Sequence, residues 1–175
     1  RSWVARAAKN VDGTLAFGST KPLNRPGDIF FLNDGFPPTA EEIAAHTPEP
    51  VIFGDGHARH PYTAPSFFNI SAMSYGALSG PAISALSEGA HQSGIWLNTG
   101  EGGLSPFHKT SPCDLVFQIG TAKYGVRDQQ GNLDSAKVSE LAANPAVKMF
   151  EIKLSQGAKP GKGGILPGKK VTEII

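Results

Sequence analysis

Four short apolar segments constrain the fold of this chain more than any other feature of its sequence. They read FFNISAMS (67–74), GIWLNTG (94–100), DLVFQIG (114–120) and KMFEIKL (148–154). Each is rich in branched or aromatic residues and is continuously apolar, which is typical of strands buried on both faces of a parallel sheet. The sequence therefore predicts about four parallel strands.

Two helices are predicted between these segments. The first follows Ser79 as N-cap, has Pro81 in its first turn and ends at Gly94. The second begins with Ser135 as its cap and ends at Asn144–Pro145. Alternating strands and helices predict an α/β fold, either an open doubly wound sheet or part of a (β/α)8 TIM barrel. Since a barrel needs about 250 residues, four strands would be its first half.

Residues 1–66 lack the sustained hydrophobic periodicity of the rest of the chain. NRPGD, DGFPP and HTPEP interrupt any periodicity, and only one short helix is predicted, with Thr39 and Glu42 forming a capping box. We predict an irregular N-terminal segment over 1–66 that wraps the barrel, followed by the first half of the barrel over 67–175. The chain starts with Arg and stops just after a lysine-rich loop, so we expect it to be part of a longer protein.

Composition excludes several classes of function. A net charge of +1 gives no bulk attraction to nucleic acid, and no apolar run is long enough to span a membrane. The single cysteine, Cys113, excludes an internal disulfide, and packing is its expected role. Asp55, His57 and His60 match no strong ligand spacing, so no metal site is predicted. We expect a cytoplasmic protein, membrane-associated only through a further upstream segment.

Lys153 is the most informative polar side chain, because it lies in an apolar segment between Ile152 and Leu154. A buried lysine is costly unless it meets an anion or an electron-rich group, although a lysine at a strand end can also reach solvent. Other polar residues follow the predicted strands at the edge where α/β folds bind ligands.

The motifs SAMSYGALS, NTGEGG, GTAKYGV and EIKLSQGAKPGKGGILPGKKV, in this order, resemble the FMN-binding synthase domain of glutamate synthases and their shorter relatives. The resemblance is strongest over 67–171. It implies a (β/α)8 barrel with FMN at its carboxyl face and an oxidoreductase acting on CH–NH2 donors. In that chemistry, 2-iminoglutarate, formed from 2-oxoglutarate and ammonia, is reduced to L-glutamate. The implied cofactors are FMN and, in a part of the protein beyond this chain, a [3Fe–4S] cluster.

The resemblance also assigns site residues. The cofactor-binding set is Ala72, Met73, Ser74, Asn98, Thr99, Gln118 and Lys153. Asn98 or Thr99, together with Gln118, would bond the pyrimidine edge of the flavin, and Lys153 would lie near its N1 and O2. The catalytic residues would be Lys153 and Glu101, and the substrate-binding residues Lys123, Gln156 and Lys159.

Departures from the family pattern concern the substrate more than the flavin. The family commonly reads SGRFGV and GEGGQLPG, so Lys123 here replaces an arginine, Lys162 an acid and Ile165 a glutamine. Lysine lacks the bidentate fork with which arginine holds a carboxylate. The implied partners are a 2-oxo acid or imine substrate and an electron donor, either ferredoxin or an NAD(P)H-linked subunit.

Half a barrel holds half a cofactor site, so we expect the chain to be inactive on its own. An alternative interpretation is a non-catalytic half-barrel module. Such a module would self-associate, or bind a partner, through exposed strand edges.

Overall fold

A computed structural model describes residues 35–46 and 49–154, together with positions 5, 8, 9, 26 and 27. The chain divides into two compact units, Arg1–His46 and Thr47–Ile175. In the first unit, helix α1 spans Ala40–Ala45. The Glu42 N–H donates to Thr39 Oγ1 at 3.2 Å, and the Thr39 N–H donates to the Glu42 carboxylate at 2.7 Å. The predicted capping box is thus confirmed, whereas the boundary after residue 66 stays a prediction.

The second unit contains a hairpin followed by alternating helices and parallel strands. The strands are β1 (Val51–Phe53), β2 (Tyr62–Ala64), β3 (Leu97–Asn98), β4 (Leu115–Ile119) and β5 (Val147–Ile152). The helices are α2 (Gly80–Ser93) and α3 (Ser135–Ala142), and the 3-10 helices Gly100–Gly102 and Pro106–Lys109 lie between β3 and β4. The α/β class is confirmed. Within the described ranges, no helix is long and apolar enough to cross a membrane.

The central sheet has the order β3-β4-β5, with both pairs parallel. Leu97 lies opposite Leu115, and Leu115 opposite Val147. Side chains on one face pack against the helices in two apolar clusters, one around Leu97 and Leu115 and the other around Phe117 and Val147. Cys113 belongs to the first cluster, as expected of a packing residue. The described residues form an open sheet, and no closed barrel is seen in them.

The predicted first strand is wrong: 67–74 forms a single parallel bridge, Ile70 to Leu97, and no strand. The Ile70 N–H donates to the Trp96 carbonyl, and the Asn98 N–H donates to the Ile70 carbonyl, both at 3.1 Å. The next ladder position fails, because Met73 rather than Ala72 donates to the Asn98 carbonyl. The Gly100 N–H, which would continue the ladder, donates instead to Asn98 Oδ1 at 2.9 Å. The side chain of Asn98 therefore ends the pairing.

The predicted ends of α2 are confirmed, and the predicted cap of α3 is wrong. Ser79 Oγ accepts the Ala82 N–H at 3.4 Å, and Gly94 ends α2 in the left-handed conformation at φ 62°. The N-cap of α3 is Asp134, whose carboxylate accepts the N–H groups of Ala136 and Lys137. An ionised carboxylate at a helix N-terminus also gains from the helix dipole, which a serine hydroxyl does not.

The hairpin β1–β2, which the sequence did not predict, lies against the amino ends of the parallel strands. The rings of Phe53 and Tyr62 contact Trp96, with centroid distances of 5.5 and 6.3 Å. Tyr62 Oη donates to Asp114 Oδ2 at 2.8 Å, and Lys148 Nζ lies 3.6 Å from Asp114 Oδ1. One carboxylate therefore links the hairpin to the start of β5, and the carboxyl ends of the strands lie at the other edge.

The corrected cap of α3 gives a direct test. We expect Asp134→Ala to lower the free energy of unfolding by about 1 kcal/mol, since two N–H groups lose their acceptor. Ser135→Ala is the matched control, because α3 does not use that hydroxyl as its cap. Urea unfolding of both variants measures the difference. Equal destabilisation by the two substitutions would contradict the assignment.

Candidate functional site

Lys153 and Glu101 meet at the carboxyl edge of the sheet. The Lys153 N–H donates to the Ile119 carbonyl at 3.0 Å, which continues the β4–β5 pairing one residue beyond β5. Its Nζ lies 3.0 Å from Glu101 Oε2, and the two side chains are only 31% and 21% exposed. Lys153, whose charge would be unfavourable if buried alone, therefore has an anionic neighbour and is turned toward the loop that follows β3. The two residues predicted to be catalytic are brought together.

Two glycines make this approach possible. Glu101 lies directly over Gly120, where a Cβ would come within 2.8 Å of Glu101 Cγ and Oε1. Gly100, at φ 66°, crosses the 67–74 segment so closely that a Cβ would lie 2.7 Å from the Ser74 amide nitrogen. A side chain at position 100 would thus face both backbone strain and a backbone clash. NTGEGG is therefore a structural requirement of the site as well as a source of polar groups.

Asn98 and Thr99, predicted as alternatives, differ in what they can offer a ligand. Thr99 is fully buried, and its hydroxyl accepts the Gln118 N–H at 3.1 Å and donates to the Gly100 carbonyl at 3.2 Å. Asn98 Oδ1 is taken by the Gly100 N–H, and within the described residues its Nδ2 has no partner. Asn98 is thus the better candidate for binding a ligand, and Thr99 holds β3 to β4.

Gln118 is buried, and among the described residues only one of the two polar atoms of its side-chain amide forms a hydrogen bond. Its Nε2 donates to the carboxylate of Glu151, the residue opposite it on β5. In the part of the chain that the structure describes, its Oε1 is buried with no hydrogen-bond partner. A buried carbonyl oxygen without a donor is unfavourable, which is typical of a group that pairs with a ligand.

A groove of about 370 Å³ lies beside these residues. It is lined by Phe67, Asn69, Ser71, Ala72, Trp96, Asn98 and Glu151. We call this the Asn98 groove. It runs along the 67–74 segment, so Ala72 and Asn98 from the predicted cofactor-binding set line the same cavity. Glu151, which the sequence did not single out, lines this groove and accepts a hydrogen bond from Gln118.

His108 is a second residue that the sequence did not reveal. It is fully buried, and its Nε2 donates to the Met73 carbonyl at 2.8 Å. Its Nδ1 accepts the Ser105 N–H at 3.2 Å, which fixes the tautomer with the proton on Nε2. Burial lowers the pKa of His108, so the neutral form is favoured. Met73 is thus held on both sides, by the Asn98 carbonyl and by His108.

The remaining predicted residues make other contacts or lie outside the described residues. Ser74 Oγ accepts the Ala77 N–H at 3.1 Å and forms the turn before α2. Lys123, in the left-handed conformation at φ 52°, donates from Nζ to the Gly131 carbonyl at 3.1 Å. Gln156 and Lys159 lie outside the described residues. The assignment of Lys123, Gln156 and Lys159 to the substrate stays a prediction.

The fold is α/β, and the site gathers polar groups at the carboxyl ends of parallel strands, the edge where such folds bind ligands. Residues 41–175 match the family model described as the conserved region in glutamate synthase. The chain therefore belongs to the glutamate synthase family. No solved structure matches it.

Curated relatives agree with this assignment. The chain is 38% identical over 137 residues to the glutamate synthase large subunit-like protein YerD of Bacillus subtilis, a match that covers 78% of the chain and 26% of the relative. It is 41% identical over 105 residues to the archaeal-type glutamate synthase [NADPH] of Thermotoga maritima, covering 60% of the chain and 18% of the relative. It thus spans about a quarter or less of these relatives.

The buried imidazole of His108 predicts a stability that depends on pH. Because its folded pKa is depressed, the unfolded chain binds the proton more readily, so stability is lost as pH falls below the unfolded value of about 6.5. We expect this loss to be at most about 1.4 kcal/mol per pH unit. Urea unfolding at pH 7.5 and 5.5 should show a smaller loss in His108→Gln than in wild type. His57→Gln, at an exposed position, is the control and should keep the wild-type loss.

Proposed function

We propose that this chain is part of an FMN-dependent oxidoreductase of the glutamate synthase type. The observation that carries the proposal is the position of Lys153, whose ammonium turns to Glu101 at the edge where α/β folds bind their ligands. The unpartnered Gln118 Oε1 and the Asn98 groove support it, because both suit a flat ligand with N–H and carbonyl groups. Family membership adds the class of reaction.

FMN, when bound, supplies a hydride for the carbon of 2-iminoglutarate, which forms from 2-oxoglutarate and ammonia and is reduced to L-glutamate. Ala72, at the groove wall, would lie beside the flavin ring, while Asn98 and Gln118 would bond its pyrimidine edge. Lys153 would stabilise negative charge at the N1 and O2 side of the reduced ring. Glu101, held beside that lysine, would hold the substrate or assist transfer of the proton that the imine nitrogen needs.

The rest of the proposal concerns the complete protein. Since the chain spans about a quarter of the Bacillus relative, half of the flavin site would come from further residues, and the chain alone would be inactive. A [3Fe–4S] cluster would also need cysteines from elsewhere, because Cys113 is the only one here. The NADPH in the name of the Thermotoga relative favours an NADPH-linked electron donor over ferredoxin.

The alternative is a non-catalytic module that associates through strand edges. Exposed apolar side chains at the end of β5 support it. Ile152 and Leu154 are 69% and 86% exposed. These side chains suit a covering element as well as a partner protein, and they do not account for the Lys153–Glu101 pair. We therefore favour the enzyme.

The flavin itself is the first test. We expect the full-length protein to purify with bound FMN, and dithionite to bleach its absorbance. Adding 2-oxoglutarate and ammonia without oxygen should then restore the oxidised spectrum. A colourless full-length protein that does not take up added FMN would refute the proposal.

The charge of Lys153 gives a second test. Lys153→Met keeps the length of the side chain and removes the cation, so the reduced flavin should lose stabilisation. We expect the two-electron potential of the bound FMN to fall by about 30 mV, equivalent to ~1.4 kcal/mol. Lys148→Met is the matched control, since Lys148 pairs with Asp114 at the amino end of β5. An unchanged potential in Lys153→Met would contradict the assigned role.

A further inference from the structure

The amide of Asn98 has a fixed polarity. Its neighbour at 2.9 Å is the Gly100 N–H, which can only donate, so the atom facing it must be Oδ1. Nδ2 is therefore left as a donor, and Asn98 lines the groove. Within the described residues nothing accepts from it.

The amide of Gln118 is fixed in the opposite sense. Glu151 presents a carboxylate, which only accepts when ionised, so Gln118 must turn Nε2 toward it. This leaves Oε1 as an acceptor, buried and without a partner in the described part of the chain. Without Glu151, the amide could rotate by 180° and exchange the two atoms.

The two amides lie on the same face of neighbouring strands, Asn98 opposite Val116 and Gln118 two residues further along β4, and they offer one donor and one acceptor. Their ligand complement is a carbonyl oxygen next to an N–H, which is the pattern of an imide. The pyrimidine edge of a flavin has this pattern, with N3–H between two carbonyl oxygens. We propose that Glu151 is a positioning residue, which fixes Gln118 so that its oxygen, and not its NH2 group, meets the flavin N3–H. This rests on the proposed function and names the residue that sets the polarity of the cofactor site.

A flavin that lacks N3–H provides the test. Equilibrium binding of FMN and of 3-methyl-FMN to the full-length apoprotein measures a ratio of dissociation constants, from which any loss of affinity common to both flavins cancels. We expect wild type to prefer FMN at least about tenfold, the effect of one hydrogen bond of ~1.4 kcal/mol. Glu151→Ala should reduce the preference to less than about threefold. Glu140→Ala, an exposed glutamate on α3, is the control and should keep the full ratio.

The outcomes separate this inference from the proposed function. A tenfold preference that persists in Glu151→Ala overturns the role of Glu151 but does not contradict the proposed flavin-dependent function. A wild type that binds neither flavin overturns both. Should Glu151→Ala fail to fold, Glu151→Lys makes the same measurement. An ammonium there attracts Gln118 Oε1 and turns NH2 toward the ligand, so the preference for FMN should again be lost, and its retention overturns the role.

Discussion

The parallel register of β3, β4 and β5 is the constraint on which the rest of the site depends. It sets Gln118 opposite Glu151 and carries Lys153 one residue past the end of β5, within 3.0 Å of Glu101. A shift of one residue along β5 would turn Lys153 to the face that packs on the helices, away from Glu101. Register thus decides at once where the apolar core lies and which charges meet.

A second requirement is the close passage of the 67–74 segment over Gly100. The side chain of Asn98 ends the ladder by accepting the Gly100 N–H. The Met73 carbonyl, which has no partner in the ladder, accepts instead from His108 Nε2. The segment therefore forms no strand, and it lines the Asn98 groove. Backbone hydrogen bonds to Trp96 and Asn98, together with the His108 side chain, hold the segment in place.

Much of this organisation could be predicted from the sequence, and the failures have clear causes. Apolar runs and capping signals predicted α2, β3, β4 and β5, because those depend on local patterns. The 67–74 segment was as apolar as a strand, but its pairing depended on one side chain of β3. His108 and Glu151 act on residues 35 and 33 positions away, which no local pattern indicates. Lys153 was found because a charge within an apolar strand is conspicuous in sequence.

The hairpin anchors the amino ends of the strands, whereas the candidate site lies at their carboxyl ends. Asp114 joins Tyr62 and Lys148 at the amino ends, far along the strands from Glu101 and Lys153. Selection can therefore alter the loops at one end while the other end goes on anchoring the sheet. Such a division favours divergence: a lineage built on this scaffold could exchange one small molecule for another without first solving its folding problem again.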